Sequence, residues 1–277
     1  MVRILACLLI WAAAVPLGYA QLLLSPTRVV FEGNARSSQI DVVNTTNQAA
    51  TYRLTLVNRR MNQLGEFLPV DAPLPGERFV DAMVRFSPRQ LTVEPGGSQV
   101  IRLSLRKPQG LAAGEYRSHL LIERVLDANL ASSIDSAVGN QSSDGLDIRL
   151  TPLVGALIPV IVREGSTTVE MSISGMSFTA RSGEKPALLS LSLERSGNRS
   201  VYGDLVVTFL AAGASSPVQV ARVNGLAVYV PNPERLLRVA LEPPEGVDLR
   251  AGRFQVAFQL RPEEGGRVLA ENQLDLR

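Results

Sequence analysis

Residues 146–163, LDIRLTPLVGALIPVIVR, change character halfway along, and that change limits what the chain can fold into. In the first half Leu146, Ile148 and Leu150 alternate with Asp147, Arg149 and Thr151. A period of two puts the apolar set on one face of a β-strand. In the second half, residues 153–162, both faces are apolar, as expected of a strand covered on both sides. A long polar segment, residues 127–145, delivers the chain into it. Such a strand is either a deep core strand or a strand offered to another protein.

The rest of the chain keeps the same period. Residues 22–31 (LLLSPTRVVF) predict a first strand interrupted at Ser25-Pro26. Proline has no N–H for a ladder, so it belongs at an edge or at a switch between sheets. Residues 38–44 and 51–58 follow as strands, with Ile40 and Val42, then Tyr52, Leu54 and Leu56, facing inward. Residues 61–77 hold Gly65, Pro69, Pro73, Pro75 and Gly76 and read as a long excursion. Residues 84–88 and 90–93 are short strands before the turn Glu94-Pro95-Gly96-Gly97. Residues 99–106 point Ile101, Leu103 and Leu105 in and Arg102, Ser104 and Arg106 out. Gly114-Glu115-Tyr116 opens a strand over 116–125, and its Gly-x-Tyr resembles the tyrosine corner of immunoglobulin-like sandwiches.

A boundary is expected at Glu164-Gly165-Ser166. A second set then spans residues 168–173, 188–193, 201–210, 218–223, 226–230, 236–241, 254–260 and 269–276. Leu189, Leu191 and Leu193 alternate, as do Phe254, Val256, Phe258 and Leu260. Short strands, turn signals between them and no helical stripe predict an all-β protein of two β-sandwich domains, residues 21–165 and 166–277.

The length of 277 residues suits two domains, and 45% hydrophobic with 19% charged residues describes a globular chain. A formal net charge of +2 gives no support to a nucleic-acid partner. Arg3, the apolar run 4–15 and the small-x-small site Gly18-Tyr19-Ala20 predict a cleaved signal peptide over residues 1–20 rather than a membrane anchor. The apolar run is short for a bilayer span, which takes about 20 residues. Cys7 is the only cysteine and leaves with that segment. The mature chain is therefore expected to be exported, not inserted in a membrane, and without disulfide, thiol nucleophile or cysteine metal site.

Enzyme signatures are missing: no Walker-type loop, no GxSxG elbow and no HExxH motif. His119, the only histidine, is expected to be a half-exposed strand residue, and Glu263-Glu264 a solvated turn pair. Neither enzyme activity, a metal nor a cofactor is expected. Arg28 stands among apolar residues in the first strand. It is either a solvent-facing residue on an alternating edge or an anion-binding group.

Several motifs together carry a family resemblance. Residues 25–33 (SPTRVVFEG), Val43-Asn44 before a turn, Arg85-Phe86-Ser87-Pro88, Leu91 with Glu94-Pro95-Gly96, and the end Val160-Ile161-Val162-Arg163 resemble the periplasmic chaperones of chaperone–usher pilus assembly. The likeness covers about residues 22–165. It implies an all-β fold of two immunoglobulin-like β-sandwich domains set at an angle, with a cleft between them. It implies a donor strand over 146–163 that completes a pilus or fimbrial subunit lacking a strand, with Ile148, Leu150, Pro152 and Val154 projecting into it. It implies that Arg28 grips the subunit's terminal carboxylate, with delivery to an outer-membrane usher from the periplasm. The family's second anchor, a lysine, falls on Pro159 here, so either Arg117 or Arg149 substitutes or the client is anchored differently. Unoccupied donor strands can self-pair, which allows a capping homo-oligomer. The alternative is a structural or adhesive two-domain exported protein without a client.

Overall fold

The computed structural model describes residues 22–125 and 155–276. The first segment divides at its proline. β1 (Leu22–Ser25) pairs antiparallel with β3 (Ser37–Asn44), whereas β2 (Val29–Phe31) joins the opposite sheet. There β2 lies parallel to β11 (Gly155–Glu164). The remaining strands of this part are β4 (Ala50–Val57), β5 (Arg59–Met61), β6 (Phe67–Pro69), β7 (Val84–Ser87), β8 (Gln90–Val93), β9 (Ser98–Leu105) and β10 (Gly114–Val125). One sheet runs β1-β3-β9-β7 and the other β2-β11-β10-β4-β8. The inward alternation is as the sequence predicts: Ile40, Val42, Tyr52, Leu54, Ile101, Leu103 and Leu105 share one buried core between the sheets. Each large apolar side chain buried there stabilises the fold by about 2 kcal/mol before entropy is counted.

The tyrosine corner is present. The Tyr116 hydroxyl donates to the Ala112 carbonyl at 2.9 Å. The excursion over 61–77 contains more order than its prolines and glycines predict, since β5 and β6 form a hairpin. Glu77 staples it: Arg60 donates through Nε at 3.1 Å and Nη2 at 2.5 Å, and the Leu74 N–H at 3.0 Å. Burial pushes the Glu77 carboxyl up, but Arg60 and the Leu74 N–H outweigh it and hold it below the usual carboxylate range.

The second part contains β12 (Val169–Thr179), β13 (Leu188–Gly197), β14 (Val201–Ala211), β15 (Val218–Val228), β16 (Glu234–Ala240), β17 (Gly252–Leu260) and β18 (Val268–Leu276). Its sheets are β12-β13-β16 and β15-β14-β17-β18, closed over Leu189, Leu191, Leu193, Phe209, Phe254 and Phe258. The sequence predicts separate strands over 218–223 and 226–230. The structure has one strand, β15, that slips register against β14 between Gly203 and Leu205. Gly225 takes φ +69 there and its N–H donates to Asp204 at 3.0 Å, so the chain kinks without leaving the ladder. Glu263 and Glu264 form a short, exposed 3-10 turn (Pro262–Glu264).

Among the described residues, strand pairing stays within residues 22–164 or within 169–276. A third apolar cluster joins the two parts: Met61 and Ile161 meet Ala227 and Tyr229, with Val30 and Tyr202 packed against them. This accounts for the doubly apolar half of β11. Ile158, Val160 and Val162 enter the first core, and Ile161 on the other face enters the junction. The expected strand over 146–163 is thus present from Gly155 onward, and its first half lies outside the described residues.

Candidate functional site

β11 is paired along its whole length on one side and along a fraction of it on the other. β10 covers residues 155–164, but β2 covers only Val160 to Val162. Among the described residues, 155–159 therefore have one unpaired side. An unpaired edge of this kind is a template for another strand. Pro159, at the end of the open stretch, supplies no N–H to a ladder. Opposite it on β10 stands His119.

Arg28 sits where the cover begins. It is the residue just before β2, not a residue of a strand as the sequence predicts, and it is half-buried. Its guanidinium carbon lies 4.9 Å from the centre of the Tyr202 ring on β14. Its Nε and Nη1 are buried and without a hydrogen-bond partner. Buried donors left unsatisfied are costly, about 1–3 kcal/mol each, so an acceptor brought to them is bound favourably.

Arg117 lies in the same cleft. It is buried, and its guanidinium carbon stands 4.1 Å from the centre of the Tyr229 ring. Its Nη2 donates to the Val230 carbonyl at 3.3 Å, and its Nε has no partner. Burial pulls the guanidinium down from its ordinary range against Tyr229, Glu115 and Glu77, which raise it, and the neighbouring charge of Arg28 adds to the lowering. Two guanidiniums thus share one sheltered space without a facing carboxylate in ion-pair contact among the described residues. Such a space attracts an anion.

His119 is fully buried, which corrects the half-exposed position expected from the sequence. The β5–β6 hairpin covers it: the Phe67 ring packs edge-on at 4.8 Å, and Tyr229 lies at 6.4 Å. Arg117 Nη1 approaches His119 Nε2 at 3.4 Å. A guanidinium only donates, so Nε2 accepts and the imidazole proton sits on Nδ1. Burial, then the charges of Arg117 and Arg59, lower the His119 pKa to about 3. The ring is neutral at any ordinary pH and adds no cation to the cleft.

Charges seal the rim. Arg163 on β11 donates to Glu115 through Nε at 3.2 Å and to Glu32 through Nη1 at 2.9 Å. Glu115 also accepts from the Ser200 N–H at 3.1 Å and from the Ser200 hydroxyl across the junction. The hairpin adds a second tie: Gln63 donates to Glu234 at 2.6 Å and its carbonyl accepts from the Leu236 N–H at 2.8 Å. Asn232 donates to the Met61 carbonyl.

Of the residues singled out from sequence, Arg28 and Arg117 are brought together. Arg149, Ile148, Leu150, Pro152 and Val154 lie outside the described residues. Sequence reasoning missed Tyr202 and Tyr229. Their signal was faint: two of only five tyrosines, one near the start of β14 and the other just past the end of β15. No group of three His, Cys, Asp or Glu among the described residues is placed to hold a metal.

No protein-family model and no curated protein matches the chain. Solved structures do. The YadV chaperone is 12% identical, over 93% of this chain and 100% of its own, with a TM-score of 0.46. The CupB2 chaperone of Pseudomonas aeruginosa is 12% identical, over 92% and 100%, with a TM-score of 0.44. The Salmonella enterica SafA pilin in complex with the SafB chaperone gives 12% identity, over 92% and 96%, with a TM-score of 0.41.

Proposed function

We propose that this protein is a periplasmic chaperone that caps a pilus or fimbrial subunit by lending it the open edge of β11 and then delivers it to an outer-membrane usher. One observation carries the reading: the open edge ends at an arginine with unsatisfied donors. A strand laid in line ahead of β2 and parallel to β11 would finish at Arg28. Running that way, it would present its C-terminal carboxylate to the guanidinium. Running the other way, it would present an ammonium, which the two arginines repel. The charge at the end of the edge thus selects both the direction and the terminus of the guest.

Backbone pairing supplies affinity on such an edge, and alternating side chains supply selectivity. The apolar positions expected on the donor stretch, Ile148, Leu150, Pro152 and Val154, would fill a guest that lacks a strand. Arg117 takes the part of the second anchor. No catalytic step belongs to this reading.

The test is affinity purification of the tagged protein from the periplasmic fraction, with Arg28→Ala and Leu150→Asp in parallel. A small β-rich subunit that co-purifies with the wild type and is lost from both variants supports capping by strand donation. A folded protein without a bound subunit, or a partner indifferent to both changes, overturns it in favour of an exported structural protein.

A further inference from the structure

Two tyrosines of the second sandwich hold the two arginines of the first. Arg28 lies over the Tyr202 ring and Arg117 over the Tyr229 ring. No ion pair among the described residues fixes either guanidinium. The Tyr202 ring face therefore sets the plane of Arg28, while Arg117 is held by the Tyr229 ring together with the Val230 carbonyl and His119 Nε2. Tyr202 is itself held in place. Arg261 lies over the same ring at 5.6 Å, and the ring packs against the junction cluster of Met61, Ile161, Ala227 and Tyr229. Tyr229 is buried in the junction cluster, and the adjoining Val230 carbonyl accepts from Arg117. Planar alignment matters because a carboxylate is gripped by two parallel N–H bonds only when the guanidinium lies in its plane.

We infer that Tyr202 and Tyr229 are positioning residues of the carboxylate site, so that the site is complete only when the two sandwiches are docked. The inference rests on the carboxylate-capture reading above. It makes guest binding and docking of the two parts mutually reinforcing, since a ligand that prefers the docked arrangement stabilises it.

The experiment uses N-acetylglycine, which mimics a chain terminus, and N-acetylglycinamide, its neutral counterpart. Each is titrated into the protein while the Nε–H resonances of Arg28 and Arg117 are followed by NMR. In the wild type both resonances move with the acid and not with the amide. Tyr202→Phe keeps the ring and titrates as the wild type. Tyr202→Leu weakens the response at Arg28 about tenfold, and Tyr229→Leu does the same at Arg117. Backbone amide spectra verify that each variant is folded. Tyr202 is only half-buried, so its pair of variants carries the test if Tyr229→Leu does not fold. Leu variants that titrate as the wild type overturn the tyrosine inference and leave carboxylate capture standing. A Phe variant as weak as the Leu variant overturns it too, because the hydroxyl and not the ring would then be responsible. A wild type that ignores N-acetylglycine overturns both.

Discussion

Val29 lies beside Val160 in parallel register, and Arg28, one residue earlier, marks the point where β11 loses its outer neighbour. The position separates two roles that a buried arginine often combines. Arg28 has no ion pair to lose among the described residues, yet it has donors to offer. Arg28→Gln is expected to leave the urea midpoint unchanged or slightly raised, while weakening guest capture at least about tenfold. A midpoint that falls together with capture would make Arg28 a structural residue.

Glu115 makes the opposite case. It is buried, faces Arg163, and takes both hydrogen bonds that Ser200 sends across the junction. Glu115→Ala leaves the Ser200 donors unsatisfied and Arg163 with only the half-exposed Glu32. The expected loss is about 3 kcal/mol in urea denaturation. Ser200→Ala is expected to cost about 1 kcal/mol.

His119 predicts a dependence on pH. Its pKa is lowered to about 3 in the fold, against an ordinary 6.5 in the unfolded chain. Between those values the unfolded chain binds a proton that the native protein does not. Stability therefore falls as pH drops below 6.5, by about 1.4 kcal/mol per pH unit from this group alone. From pH 7 to pH 5 the contribution is roughly 2 kcal/mol, and His119→Gln removes it. Urea denaturation of both proteins at the two pH values checks this, and equal slopes would refute it.

The tyrosine corner gives a smaller, local expectation. Tyr116→Phe deletes the 2.9 Å bond to the Ala112 carbonyl and keeps the ring. The expected cost is about 1 kcal/mol, read as a shift in thermal midpoint with no change in guest capture.

The fold was largely legible because its evidence is local. Alternation in residues 98–105, or at Phe254, Val256 and Phe258, needs no partner to be read. The proline in the first segment points to an edge or to a switch between sheets, and β1 and β2 lie in different sheets. The burial of His119 was not legible. It depends on Phe67, fifty-two positions away, and on Tyr229 in the other sandwich. The single strand β15 was missed because Gly225 looks like a turn in sequence and acts as a bulge in place. Arg28 could be marked as ambiguous from its apolar neighbours. Its pairing with Arg117, and the tyrosines behind both, arise only from the packing of one sandwich on the other.

The division of residues 22–31 between two sheets also has a consequence in time. β2 is among the first stretches of the first sandwich to appear when the chain is threaded out from its N-terminus, and its strand partner, β11, is among the last. Until about residue 164 has emerged, Val29, Val30 and Phe31 have no ladder to join. Closing so long a loop makes this pairing slow compared with the hairpins formed meanwhile. The sandwich is thus sealed by its earliest residues at its latest moment, and through that interval the nascent chain presents an open edge of its own.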